Sequence, residues 1–144
     1  ESIGGVTVTP GSLKANFFVG TATAANYADL AEKYLADAEY EVGTVVCIGG
    51  EKEITACQKG TRAIGAVSAN PAYLMNLDLE GGTAVALKGR VPVKITGPIT
   101  KGDRLVAGDD GTAISATWNT FDTFGVALES NSNEGVKLVE CLIL

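Results

Sequence analysis

Short runs of apolar residues, separated by glycine, constrain this chain more than any other feature of its sequence. The clearest run spans residues 90–96. Its Val91, Val93 and Ile95 alternate with polar residues or proline. A period of two places alternate side chains on opposite faces of a β-strand. Similar short runs continue to the C-terminus, so the pattern predicts a mainly β domain over residues 40–144, folded as a small barrel or sandwich.

A faint internal repeat appears inside this region when the sequence is shifted by 60 residues. Residues 45–46 then fall on residues 105–106, and Gly65 falls on Gly125. Both copies read as strand, glycine turn, strand, loop and strand. The repeat predicts an internal duplication around a pseudo-two-fold axis.

The N-terminal part of the chain has a different pattern. Over residues 26–39, apolar residues recur at steps of three and four, which predicts one short α-helix. These residues are Tyr27, Leu30, Ala31, Tyr34 and Leu35. Residues 1–25 contain few large apolar side chains, so we expect an extended arm that lies on its own domain or on a neighbouring chain.

The composition argues against several classes of function. The net charge is −6, and the eleven Lys and Arg residues are scattered, so neither nucleic acid nor an anionic membrane is an expected partner. The chain has no histidine, which removes the commonest general base and metal ligand. A Ser-His-Asp or Cys-His site cannot be built from this chain alone, and we expect no catalytic residue, no cofactor-binding residue and no metal site.

The remaining candidates for chemistry have simpler structural interpretations. Cys47, Cys57 and Cys141 lie in apolar stretches, so we expect buried free thiols, which favours a reducing compartment. Residues 109–111 read Asp-Asp-Gly, and we interpret them as a hairpin turn rather than as part of a calcium loop.

Several strings, occurring in order, resemble a module of tailed-bacteriophage virion proteins that is often described as a tail fibre or as tail-fibre-like. The strings are ADLAEKY at 28–34, ADAEYE at 36–41, GTVV at 43–46, GAVS at 65–68, NPAYLMN at 70–76, ALKGRVPVK at 86–94, GP at 97–98 and KGD at 101–103. The resemblance spans roughly residues 22–113.

The resemblance implies a non-enzymatic structural protein of the virion, made in the cytoplasm of a bacterial host. It implies a tail-fibre or appendage module, or a capsid decoration protein, that assembles as a homotrimer and contacts other phage capsid or tail proteins. Aromatic and apolar residues of the arm, helix and loops are the predicted subunit interface. These residues are Phe17, Phe18, Tyr27, Leu30, Tyr34, Tyr73 and Trp118.

Two alternatives remain open at this point. A receptor-binding appendage would bind glycans on loops 58–62, 76–82 or 117–123, with Trp118 or Tyr73 stacking on a sugar. A self-cleaving maturation domain would use Ser68 or a lysine, such as Lys94 or Lys101, with Asn70 as an oxyanion donor.

Overall fold

The computed structural model of the chain describes residues 28–117 and 120–144, together with the backbone of two short strands near the N-terminus. All the regular elements of these residues are β-strands, which confirms the predicted mainly β fold. Within the same residues, no helix is long and apolar enough to cross a membrane.

Twelve strands follow one another in the part of the chain that the structure describes. They are β1 Ser2–Ile3, β2 Val6–Thr7, β3 Asp29–Tyr34, β4 Val45–Ile48, β5 Ile54–Ala56, β6 Ala63–Val67, β7 Tyr73–Met75, β8 Thr83–Ile95, β9 Arg104–Ala107, β10 Ala113–Ala116, β11 Gly125–Ala127 and β12 Lys137–Ile143. Strands β1 and β2 pair with each other, and the other ten form one sheet.

This sheet closes into two five-stranded rings that have β8 in common. The first ring runs β8–β6–β4–β5, and the parallel bridge from Ile54 to Ala36 leads back through β3 to β8. The second ring runs β8–β12–β11–β9–β10 and closes where Ala113 pairs in parallel with Ile95 of β8. The residues of β8 up to Gly89 pair with strands of the first ring, and the residues from Gly89 onward pair with strands of the second ring.

The two rings confirm the internal duplication that the sequence predicts. Strand β4 pairs with β5 and β6, and β9 pairs in the same way with β10 and β11. The parallel contacts that close the rings are also equivalent. Ala36 pairs with Ile54 in the first ring, and Ile95 pairs with Ala113 in the second. Each residue of the second pair lies 59 residues after its counterpart in the first. The chain is therefore two copies of one five-stranded unit joined within β8.

The two glycines that the repeat aligns approach a neighbouring strand in the same way. A Cβ atom on Gly65 would collide with the carbonyl oxygen of Ala86 in β8. A Cβ atom on Gly125 would lie 2.9 Å from the carbonyl oxygen of Leu142 in β12. Close approach of backbone to backbone therefore explains glycine at both positions.

The hairpin turn predicted at residues 109–111 joins β9 to β10. Both Asp110, with a φ of 54°, and Gly111, with a φ of 71°, adopt the left-handed conformation that a type I′ turn requires. Gly111 also links the two rings. Its N–H donates to the carbonyl of Cys57, and its carbonyl accepts from the N–H of Val45.

The core consists of two clusters of buried side chains. The smaller cluster lies in the first ring and contains Val46, Ile54, Val67 and Val85. The larger cluster includes buried apolar residues of the second ring. It also includes residues of the first ring that pack toward the second, among them Val45, Cys47, Cys57, Ala63, Ala66 and Ala86. Because one cluster includes residues of both rings, the rings are packed together rather than merely connected.

The α-helix predicted over residues 26–39 is wrong, because residues 29–34 form strand β3. Burial alternates at the start of this strand, with Asp29 and Ala31 buried and Leu30 exposed. The strand pairs antiparallel with β8 and parallel with β7, and a bulge follows Leu30. These distant strands provide the backbone hydrogen bonds that a helix would have satisfied locally. The arm predicted over residues 1–25 lies outside the described residues, except for the backbone of β1 and β2.

Candidate subunit interface and inter-ring cleft

Of the seven side chains predicted to form a subunit interface, three lie in the part of the chain that the structure describes. These three are Leu30, Tyr34 and Tyr73, and the other four, Phe17, Phe18, Tyr27 and Trp118, lie outside the described residues.

Leu30 and Tyr73 are 43 residues apart in sequence but directly opposite each other in the pairing of β3 with β7. Leu30 is 37% exposed and Tyr73 is 65% exposed. Directly opposite residues in a sheet point to the same face, so the two side chains form one exposed apolar surface, the Leu30–Tyr73 patch. Strand β7 pairs with no described strand other than β3, so its outer edge is also open to another chain.

Tyr34 has a different environment. Its ring packs against the smaller core cluster, and its hydroxyl donates a 2.8 Å hydrogen bond to Oε2 of Glu32. Burial, together with the neighbouring carboxylate of Glu32, raises the pKa of Tyr34 to about 12. Within the described residues, Tyr34 is a packing residue of its own subunit.

A second exposed apolar surface, which the sequence analysis did not identify, runs along β12. Lys137–Ile143 alternates buried and outward positions, and Leu138 and Leu142 lie outward with Leu144 exposed just beyond the strand. The alternation of inward and outward positions within residues 136–144 was the sequence signal that could have revealed this surface. The outward half contains the β12 patch, defined by Leu138, Leu142 and Leu144, with Glu140 lying outward between the first two leucines.

A cleft opens where the two rings meet, between the connection that follows β6 and the start of the second ring. Its volume is about 240 Å³. Polar and charged residues from four segments line it, namely Asp29, Ser68, Asn70, Arg90 and Glu140. We call it the inter-ring cleft.

Charged residues that line this cleft, and charged residues that are close in sequence to its lining, differ in how they are paired. Arg90 Nη1 lies 3.8 Å from Glu140 Oε2, and both side chains are partly open to solvent. Lys94 Nζ donates a 2.6 Å hydrogen bond to Glu41 Oε2, and this contact lowers the pKa of Glu41. Asp29, in contrast, is 6% exposed and its Oδ2 atom has no hydrogen-bond partner.

The residues considered for self-cleavage are not brought together as a catalytic pair. Ser68 is buried and lines the inter-ring cleft, with Asn70 nearby. Among the described residues, no hydrogen bond joins the Ser68 hydroxyl to Lys94 or Lys101. The ammonium group of Lys94 is instead engaged by Glu41.

The three cysteines are buried and free, as predicted. Burial raises the pKa of the Cys57 thiol and of the Cys141 thiol to about 12. Within residues 28–117 and 120–144, no three His, Cys, Asp or Glu side chains are grouped so that they would hold a metal ion. The described geometry therefore includes packing surfaces and the polar inter-ring cleft.

Comparison with known proteins gives structural matches only. No protein-family model matches the sequence, and no curated protein matches it at a significant level. The pre-mature form of bacteriophage phi29 gene product 12 is similar with a TM-score of 0.67 and 16% identity, over 94% of this chain and 24% of that one. The chain thus spans about a quarter of the length of that protein.

Two further phi29 structures match over most of their own length. The C-terminal fragment of gene product 12 has a TM-score of 0.64 at 14% identity, over 81% of this chain and all of that one. The N base of the head fibre gp8.5 has a TM-score of 0.52 at 22% identity, over 80% of this chain and 93% of that one. All three are bacteriophage proteins and one is a head fibre, which confirms, at the level of fold, the resemblance to a phage virion structural module.

Proposed function

We propose that this chain is a non-enzymatic structural module of a bacteriophage virion. In this proposal it assembles as a homotrimer, within a fibre, an appendage or a capsid decoration, and holds neighbouring head or tail components together. The observation that carries the proposal is the two-ring fold. Structures of a phage head-fibre base and of a C-terminal fragment of a phage gene product are similar to it over at least 80% of this chain.

The exposed apolar surfaces support assembly through subunit contacts. The Leu30–Tyr73 patch lies beside the open edge of β7, and the β12 patch lies on the second ring. Burying a fully exposed leucine side chain contributes about 2 kcal/mol. Leu30 is 37% exposed, so burying the rest of it contributes about 0.7 kcal/mol in each of three symmetric contacts, and Tyr73 adds to this. Leu30 and Tyr73 are the residues we assign to this interface.

Light scattering on purified protein tests the proposal. We expect a solution mass three times the chain mass of 14.8 kDa. Leu30→Asp should shift the protein toward monomer, because it places a charge in an apolar contact. Ile48→Asp is the matched control, since Ile48 is also exposed but lies on β4, away from the patch. A wild-type monomer at all accessible concentrations, or equal effects of the two variants, would contradict the proposed interface.

The exposure of Tyr73 also favours a second candidate function, a receptor-binding appendage. A ring that is 65% exposed can stack on the apolar face of a sugar. Under this alternative, glycan-array binding by the wild-type protein is lost in Tyr73→Ala and kept in Tyr73→Phe. If no glycan binds the wild-type protein, the alternative is rejected.

A further inference from the structure

Asp29 carries a negative charge that the described residues do not compensate. It lies at the start of β3, opposite Gly89, and is one of the few charged side chains that the fold buries. Its Oδ2 atom receives no hydrogen bond. An ionised carboxylate removed from water is strongly unfavourable unless it gains a donor or a counter-charge. Asp29 therefore lies where an additional positively charged group would be stabilised.

The inter-ring cleft adjoins this carboxylate and has room for a ligand. Its volume of about 240 Å³ exceeds that of one water molecule several-fold. Ser68 is 8% exposed and lines the same space, and its hydroxyl group forms no hydrogen bond with a described side chain. Val42 and Pro92 contribute apolar wall. The cleft thus combines an acidic group, neutral hydrogen-bonding groups and an apolar surface.

The balance of charge in the cleft indicates a ligand with one positive charge. Arg90 and Glu140 compensate each other at the mouth, so the carboxylate of Asp29 remains the unbalanced charge. A divalent cation is a poor match. Calcium requires six or more oxygen ligands, and the described residues contain no group of three candidate ligands. An ammonium group requires only a few acceptors, and its methylene chain suits the apolar wall.

We propose that the inter-ring cleft binds a primary ammonium group carried on an aliphatic chain. Asp29 provides the counter-charge, and the Ser68 hydroxyl and the Asn70 amide oxygen accept hydrogen bonds from the ammonium group. Two sources carry this chemistry, a free alkylamine and the lysine side chain of a neighbouring subunit. The assignment goes beyond a structural role, because it gives the junction of the two rings a binding function of its own.

Calorimetric titration with n-butylamine, and with 1-butanol as a neutral probe of the same length, tests the proposal. We expect the wild-type protein to bind butylamine and to bind 1-butanol about tenfold more weakly or worse, because only the amine balances Asp29. Asp29→Asn should abolish this preference. Asp78→Asn, in the exposed loop after β7, is the matched control and should keep it. The comparison of the two probes on wild-type protein remains decisive if Asp29→Asn does not fold.

Light scattering distinguishes the two sources. If a neighbouring lysine fills the cleft, butylamine and Asp29→Asn both lower the solution mass of the assembly. If the ligand is a free amine, butylamine binds without changing that mass. Equal binding of butylamine and 1-butanol overturns the proposal. So does equal binding of butylamine to wild type and to folded Asp29→Asn. Absence of butylamine binding combined with an unchanged mass in Asp29→Asn overturns it as well.

Discussion

Replacement of Gly65 by alanine tests the close approach of β6 to β8. The new Cβ atom would collide with the carbonyl oxygen of Ala86 and would lie 3.2 Å from Cγ1 of Val85. A backbone carbonyl in the middle of a sheet cannot rotate away as a side chain can. The strands must therefore separate locally, where Ala66 and Val67 pair with β8.

The magnitude follows from two opposing effects. Overpacking of this kind costs about 1–3 kcal/mol, and more where backbone must move. Alanine also lowers the conformational entropy of the unfolded chain, which stabilises the folded state by about 0.4–1 kcal/mol and offsets part of this cost. We expect Gly65→Ala to lower the free energy of unfolding by about 3 kcal/mol, since the contact is much shorter than any normal Cβ contact. At Gly125 the same substitution meets an oxygen 2.9 Å away and should cost about 1 kcal/mol.

Urea denaturation followed by circular dichroism measures both values. With a slope of about 2 kcal/mol/M, Gly65→Ala should lower the midpoint by about 1.5 M and Gly125→Ala by about 0.5 M. Gly102→Ala controls for the general effect of alanine, because no atom lies within 4 Å of its Cβ position and only its positive φ opposes the change. A Gly65→Ala midpoint equal to or higher than that of Gly125→Ala would refute the close approach.

Three further outcomes follow from the contacts of the first ring and from the buried thiols. Tyr40→Phe should lower the free energy of unfolding by about 1–2 kcal/mol, because the Ala56 N–H loses its acceptor; thermal unfolding measures this. The pKa of Glu41 is lowered by its lysine partner, so the pair stabilises the fold above the unfolded-state pKa, and this contribution is lost as pH falls through the folded-state pKa. The stability difference between wild type and Glu41→Gln should therefore shrink from about pH 5 to about pH 3, as measured by urea midpoints. Because burial raises the pKa of Cys57 and Cys141 to about 12, neither should react with Ellman's reagent at mild pH until the protein unfolds.

Each of these has an outcome that contradicts it. Tyr34→Phe removes a hydroxyl bonded to a partly exposed carboxylate, so an effect as large as that of Tyr40→Phe would argue against the backbone contact. A stability difference for Glu41→Gln that grows in acid would reverse the expected sign. Rapid labelling of Cys141 in folded protein would show that its burial is incomplete.

The sequence was most informative where alternation and turn chemistry agree. Residues 90–96 alternate, and they form the second-ring half of β8 up to Ile95. The Asp-Asp-Gly sequence favours the left-handed conformation that residues 110 and 111 adopt, which made this turn predictable from local sequence. The repeat was detectable because equivalent strands make equivalent contacts. Gly65 and Gly125, for example, each closely approach a backbone carbonyl of the neighbouring strand.

The error at residues 26–39 has a physical cause. Ala, Leu, Glu and Lys have high helix propensity, and the apolar residues there occur at helical spacing. The bulge after Leu30 disturbs the alternation that would have indicated a strand. Pairing with β7 and β8 outweighs local propensity, as tertiary contacts often do. The inter-ring cleft was beyond prediction for a related reason. Its polar groups come from separate segments that meet only after both rings have closed.

The continuity of β8 bears on how such a chain could have arisen. A cut at Gly89 would leave residues 28–89 with all the strands of one ring and residues 89–144 with all those of the other. Fusion of two tandem copies of one short gene would produce this arrangement, in which one continuous strand holds two units of the same topology in a fixed one-to-one ratio.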